Sequence, residues 1–245
     1  MKKRIYLILL SIVAIFFSCK DDSGQFEEQM FTSAQITAAL QECIRITSDS
    51  TLNALCIVDT LYEKQGYYHF DSKTYRINLS AAAKQVLDTL DKYGFADADT
   101  SIWTLKINRA AEQCGNKIKS DFLTPLAKDI TFPNPNQILR GKNTAITDYV
   151  KETRQNELLS LLKTSVLLEQ FNALEIISSW NMLQEEYYKI TEKYVSIDIL
   201  SPTSEQMVDG FFKKMAIEED AVRKNPDRRG PVNGWLFRVF ALLDN

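Results

Sequence analysis

Between Thr144 and Tyr194 the chain contains neither glycine nor proline. A stretch that long without a helix breaker favours helix, because nothing in it removes a backbone donor or loosens the chain. Apolar residues in it recur at helical spacing. Leu158, Leu161, Leu162, Val166 and Leu167 form one stripe, and Ile176, Ile177, Trp180, Leu183 and Tyr187 form another. Two or three helices are predicted here. The whole chain of 245 residues has only 8 Gly and 6 Pro, too few for a turn-rich sandwich or barrel.

The same pattern extends in both directions. Thr32-Ser33-Ala34-Gln35 has the form of a capping box, with Phe31 and Ile36 spaced as a hydrophobic staple. Ile36, Leu40, Cys43 and Ile44 follow on one face. Ser80 can cap a helix over Val86, Leu87 and Leu90 that Gly94 closes. Ile102–Ile130 reads as helix divided at Gly115 or Pro125, and Asn136 is placed to cap a short turn. Ser201-Pro202 supplies a cap and a first-turn proline to a helix carrying Met207, Val208, Phe211, Phe212, Met215 and Val222. Asn225-Pro226 should end it. Trp235, Leu236, Val239 and Phe240 mark a last short helix. One stretch breaks the pattern: residues 62–79 are rich in tyrosine and alternate over Tyr75, Ile77 and Leu79. The expected fold is therefore mainly α, a multi-helix bundle with a small β-hairpin or extended element near residues 67–79.

The N-terminus carries an address. Lys2, Lys3 and Arg4 precede an apolar run that stops at "IFFSCKDD", residues 15–22. Fourteen or so apolar residues are fewer than the roughly 20 a spanning helix needs, and the flanks are those of a secretory signal. The ending Phe16-Phe17-Ser18-Cys19 resembles a bacterial lipobox, with Phe16 bulkier than the usual leucine. That resemblance implies a signal peptide over 1–18, acyl chains such as palmitate on Cys19, a tether over 19–30 and one mainly helical domain over 31–245. Lys20, Asp21 and Asp22 resemble the export signal that carries some Gram-negative lipoproteins to the cell surface. An outer-membrane lipoprotein exposed on the cell surface is expected, with the periplasmic face as the alternative.

Composition narrows the partners. The chain has 29 Lys plus Arg against 32 Asp plus Glu; loss of residues 1–18 would remove two Lys and one Arg, leaving 26 basic residues and a net charge of −6. That balance argues against nucleic acid as a partner and leaves the lipid anchor as the route to a membrane. A protein or small-molecule partner is not identified by any motif. His69 is the only histidine, which rules out an HExxH helix or a multi-histidine zinc site. No GxSxG, P-loop, GxGxxG or CxxC is present, so no metal and no cofactor is expected. Cys43, Cys56 and Cys114 read as small buried residues, although Cys43 and Cys56 could bridge if the chain turned between them.

Three motifs carry a family resemblance. They are "NRAAE" at 108–112, "ILRGKNTAITDYVKET" at 138–153 and "GFFKKMAIEEDAVRKNPDRR" at 210–229. Together, and in this order, they resemble the DUF4197 family of bacterial proteins over about residues 65–243. The matching positions include Gly141, Ala145, Thr147, Tyr149, Thr153, Gly210, Phe212, Glu218, Glu219, Val222, Arg223, Asn225, Pro226 and Arg229. Ile217 departs from the family's frequent third glutamate, and residues 230–235 diverge. The resemblance implies a helical architecture, often in lipoproteins or secreted proteins, and no activity.

The shared polar residues form the candidate site: Asn108, Arg109, Glu112, Thr147, Tyr149, Glu218, Glu219, Arg223, Asn225 and Arg229. Glu219 and Arg223 are four apart on one helix, and Arg109 and Glu112 three apart on another. The 108–112 group is expected to meet the 218–229 group in one network, with the 141–153 motif on a neighbouring helix. Such a network can fix helix ends, grip an acidic ligand, or serve an envelope hydrolase or metal-dependent enzyme through its carboxylates. A binding or structural module anchored by lipid is the leading reading.

Overall fold

The structure is a computed structural model, and it describes residues 31–56 and 65–244. Cys19, Lys20, Asp21 and Asp22, with the signal and tether, lie outside the described residues. The contacts make Phe31–Asn245 one unit.

Helix α1 (Ser33–Leu55) begins as its sequence demands. The Thr32 hydroxyl accepts from the Gln35 amide, and the Gln35 side chain accepts from the Thr32 amide. One long face, from Ile36 through Leu40, Cys43 and Ile44 to Leu52 and Leu55, is buried. That face packs on the second long helix, α11 (Leu200–Lys224), and on α12 (Trp235–Phe240). Phe31, just before α1, meets the Trp235 ring edge-on. The α11 helix buries Met207, Phe211, Phe212, Met215 and Val222, so it is the central helix its apolar content required.

The other helices wrap this pair: α2 (Gly66–His69), α3 (Ala81–Lys92), α4 (Thr100–Glu112), α5 (Gly115–Ile118), α6 (Thr124–Asp129), α7 (Pro135–Leu139), α8 (Ala145–Leu161), α9 (Leu167–Ala173) and α10 (Ile176–Thr191). Helices α8, α9 and α4 lie on α11; α6 and α7 lie on α1; α10 packs on α3 and α9. The expected division of 102–130 falls at 113–114. Pro125 is accommodated differently, by widening Lys119–Leu123 into a π turn just ahead of it. A proline ring clashes with the carbonyl of the preceding turn, and the wider turn relieves the clash. A second π turn, Leu162–Val166, joins α8 to α9.

Two caps differ from expectation. Asn134, not Asn136, caps α7, accepting from the Gln137 amide with Pro135 in the first turn. At α11 the N-cap residue is Ile199, and Asp198 just before it, not Ser201, supplies the acceptor for the first-turn amides of Leu200 and Ser201. In each case the residue that leaves its side chain outside the first turn does the capping.

The β-hairpin expected near residues 67–79 is not formed, and no strand occurs among the described residues. Residues 66–69 make one helical turn, 70–75 turn back, and 76–80 run without regular structure. Tyr75, Ile77 and Leu79 are buried while Asn78 is exposed, so the alternation is real. What replaces the partner strand is a pair of side-chain amides. Asn108 accepts from the Ile77 amide at 2.9 Å and donates to the Ile77 carbonyl at 2.7 Å. Gln206 does the same for Asn78, at 3.0 and 2.9 Å. Each amide imitates a peptide group and satisfies backbone that a sheet would otherwise have to pair.

Glycine 210 lets this hook close on α11. A Cβ there would stand 3.2 Å from the Tyr67 ring, and Tyr67, fully buried, donates its hydroxyl to the Met207 carbonyl at 2.9 Å. No described helix is long and apolar enough to cross a membrane.

Candidate functional site

The motif residues fall into two groups. The first gathers where α11 ends. Glu219 is buried, and its two oxygens accept from the amides of Ile146 at 3.0 Å and Thr147 at 2.7 Å, in the first turn of α8. Arg223, one turn on, donates to Glu219 at 2.8 Å and, through its other nitrogens, to the carbonyls of Leu139 and Ile138 at 2.7 and 3.2 Å. A carboxylate therefore caps the positive end of α8 and a guanidinium caps the closing carbonyls of α7. Burial pushes the Glu219 carboxyl up from its ordinary range, against the pull of Arg223 and the two amides.

Arg229 repeats the device at the end of α11 itself. It is fully buried and donates to the carbonyls of Val222 and Arg223 and, bidentately, to Asp244 at 2.7 Å on each oxygen. That arginine holds Asp244 below the usual carboxylate range. Glu218 pairs with Lys214 and Arg228. Asn225 stops α11 and accepts from the Asp227 amide at 3.0 Å. Tyr149 stacks on Phe132 and donates to the Thr131 carbonyl at 2.9 Å.

The second group belongs to α4 and the 66–77 hook. Asn108 makes the two bonds to Ile77 and a third, at 2.7 Å, to the Thr104 carbonyl. Glu112 is buried, pairs with Arg109 and accepts from the Tyr68 amide at 3.0 Å. It presses so closely on Gly66, at φ +88°, that a Cβ there would fall on its carboxylate. Burial raises the Glu112 carboxyl above its ordinary range.

Among the described residues no hydrogen bond or ion pair joins Asn108, Arg109 or Glu112 to Glu218, Glu219, Arg223 or Arg229. The single network expected from the sequence is therefore two knots. The 141–153 motif does meet the 218–229 motif, through Glu219. The sequence alone missed Asp244, Lys214, Arg228 and Gln206. Asp244 and Arg228 lie on loop and end segments with no periodic signal, and Gln206 is an ordinary polar residue on a helix.

Open space lies away from the first knot and reaches the second at Glu112. A groove of about 390 Å³ runs between α1 and the α6 side, lined by Ala38, Glu42, Arg45, Ser48, Lys119 and Lys128 among others. A second cleft, about 460 Å³, continues past Leu52 and Cys56 to Glu112 and Asn116. Asp49 and Lys119 line both, paired at 2.7 Å. Arg45 bonds Glu42 through two nitrogens, at 2.6 and 2.9 Å, and reaches Asp49 at 3.4 Å. Ser48 is buried, and its hydroxyl has no hydrogen-bond partner among the described residues. Thr51 and Thr147 likewise carry buried hydroxyls without a partner among the described residues, and of the three Ser48 is the one that lines the groove.

The cysteines carry no bridge. Cys43, Cys56 and Cys114 are free, Cys43 and Cys114 buried and Cys56 half-buried. Burial pushes the Cys114 thiol up to about 12, so it is inert as a nucleophile. His69 meets the Tyr68 ring edge-on. No group of three His, Cys, Asp or Glu among the described residues could hold a metal ion.

Residues 31–241 match a family described as a protein of unknown function, DUF4197. The chain belongs to the DUF4197 family. The match begins just before α1 and runs into the turn after α12, so it covers the groove and both knots except Asp244. No curated protein and no solved structure matches the chain. The DUF4197 motif residues thus acquire a structural role from their geometry: Glu219 and Arg223 tie α7, α8 and α11 together, and Asn108 and Glu112 hold the hook to α4.

Proposed function

We propose that this DUF4197 protein is a lipid-anchored binding module of the bacterial outer membrane, carried to the cell surface, and that its ligand seats in the groove along α1. The observation that supports the reading is the contrast in occupancy. Glu219, Arg223 and Arg229 are engaged with backbone and with protein side chains and line neither the groove nor its continuation, whereas Arg45 and Lys119 line the open groove. The groove presents Arg45 and Lys119 with their carboxylate partners, so a small polar ligand with an acceptor for these cations fits its chemistry. The alternative, an envelope hydrolase or metal-dependent enzyme using the Glu/Arg cluster, would have to work through Glu112, which lines the second cleft, since neither Glu219 nor Arg223 lines the groove or its continuation.

Two experiments test the two halves of the proposal. Cys19→Ala should abolish incorporation of labelled palmitate, and normal labelling would end the anchor claim. Replacing Lys20, Asp21 and Asp22 by Ala should protect the protein from protease added to intact cells. For the groove, small polar metabolites are screened by thermal shift against wild type and Ala38→Trp, which fills the groove from the half-buried wall of α1. A compound that raises the melting temperature of wild type alone is the expected result; equal shifts in both proteins would place binding elsewhere.

A further inference from the structure

Helix α10 ends at Thr191, and the chain reverses through Glu192, which takes the left-handed conformation at φ +59°. The strap that follows runs back along the helix. It is pinned at Ile197, whose amide donates to the Gln184 side chain at 2.6 Å and whose carbonyl accepts from the Trp180 ring nitrogen at 2.7 Å. Between the reversal and the pin the strap stands off the helix and leaves a cleft of about 570 Å³. That volume is within the range of small-molecule sites.

The cleft has an unusual lining for a surface. Asn181, Gln184, Glu185 and Tyr188 fall on one helical face, three and four residues apart. Tyr194 faces them from the strap. Tyr188 is 51% exposed and Tyr194 82% exposed. Neither ring stacks on another aromatic ring among the described residues, and neither hydroxyl is held by protein. A tyrosine ring offers a large, rigid apolar face at low entropic cost. Gln184 accepts from the Ile197 amide and donates one amide hydrogen to the Asn181 side-chain oxygen at 3.5 Å, which leaves its second hydrogen and the Asn181 amino group for a ligand, and the Glu185 side chain makes no hydrogen bond among the described residues.

The charge in the cleft is small and balanced. Glu185 is the one acid and Lys189 the one base, and Lys189 is paired at 2.6 Å with Glu186. There is no arginine to grip a phosphate or carboxylate bidentately. Flat aromatic faces beside amides and a carboxylate suit a ring that is apolar on its faces and carries hydroxyls around its edge. We propose that this cleft binds a neutral saccharide, with Tyr188 and Tyr194 stacking on pyranose faces and Asn181, Gln184 and Glu185 meeting ring hydroxyls. The site shares no residue with the α1 groove and does not depend on it.

The test is calorimetric titration of the full-length protein, in a zwitterionic detergent, with maltohexaose, cellohexaose, chitohexaose and mannohexaose. At least one should bind with a Kd of about 1 mM or tighter. Tyr194→Ala and Tyr188→Ala should each weaken it by about tenfold or more, since each removes a whole stacking face. Tyr194→Phe should retain most of the affinity, and Tyr93→Ala, at an exposed tyrosine outside the cleft, should leave it unchanged. Melting temperatures should not move, because both tyrosines are exposed. Failure of all four saccharides to bind, or binding that survives the Tyr188→Ala, Tyr194→Ala double change, would overturn the proposal.

Discussion

Two sets of charges in this protein look alike in the sequence and behave oppositely in the fold. Glu219 and Arg223 are four apart on α11; Arg45 and Asp49 are four apart on α1. The first pair is buried and fully engaged: its side chains are 1% and 3% exposed and close the ends of two other helices. The second pair is exposed at 54% and 29%, lines a groove and stabilises little beyond its own helix. Spacing identifies a pair that can form. Only the elements packed around it decide whether the pair holds the fold together or remains available to a ligand.

That contrast can be broken by substitution. Arg223→Ala strands a buried carboxylate and frees two carbonyls, so it should lower the unfolding free energy by about 3 kcal/mol or more. Arg45→Ala should change it by no more than about 0.5 kcal/mol. Chemical denaturation of both variants compares the pairs directly, and equal losses would erase the distinction.

The hook comes next in size. Asn108→Ala leaves both backbone groups of Ile77 without partners, so a loss of about 2 kcal/mol is expected. Amide hydrogen exchange should show the effect confined to residues 66–80. A loss spread evenly over α1 and α11 would contradict the assignment of Asn108 to the hook.

A smaller effect separates the knots by pH. Glu219 has a raised folded pKa, so the folded state holds its proton more tightly than the unfolded chain does. Its contribution is present below the ordinary glutamate value of about 4.3 and is lost as pH rises through the raised value. Asp244 is lowered by Arg229, so its contribution is present above the ordinary aspartate value and lost as pH falls. Glu219→Gln should therefore flatten the decline in stability above pH of about 4.3, and Asp244→Asn should flatten the decline on the acid side. Unfolding curves across pH check both signs; identical profiles for the two variants would show that burial does not govern Glu219.

Much of the fold is legible in the residues, because long amphipathic helices announce themselves through period and caps. Thr32 and Gln35 form the box their spacing predicts, Ser80 caps α3 and Gly94 follows its end. The alternation at Tyr75, Ile77 and Leu79 also reports something true, a segment buried on one side. It cannot report what pairs with the backbone, and here the partners are Asn108 and Gln206, 31 and 128 residues away in sequence. The candidate site was legible as residue types and not as an arrangement. Nothing local in "NRAAE" says that Glu112 turns toward Tyr68 rather than toward Arg229. Ser48, a buried residue beside the groove, is an ordinary helical serine until its neighbours are known.

The central claim is that the shared Glu219–Arg223 pair builds the fold. A double-mutant cycle with Glu219→Gln and Arg223→Met, read by urea unfolding, tests it most directly. The account predicts that the two residues are coupled by about 2 kcal/mol, with the double variant far less destabilised than the sum of the single ones. Near-zero coupling, with both single variants as stable as wild type, would contradict it and return the pair to the list of ligand-binding candidates.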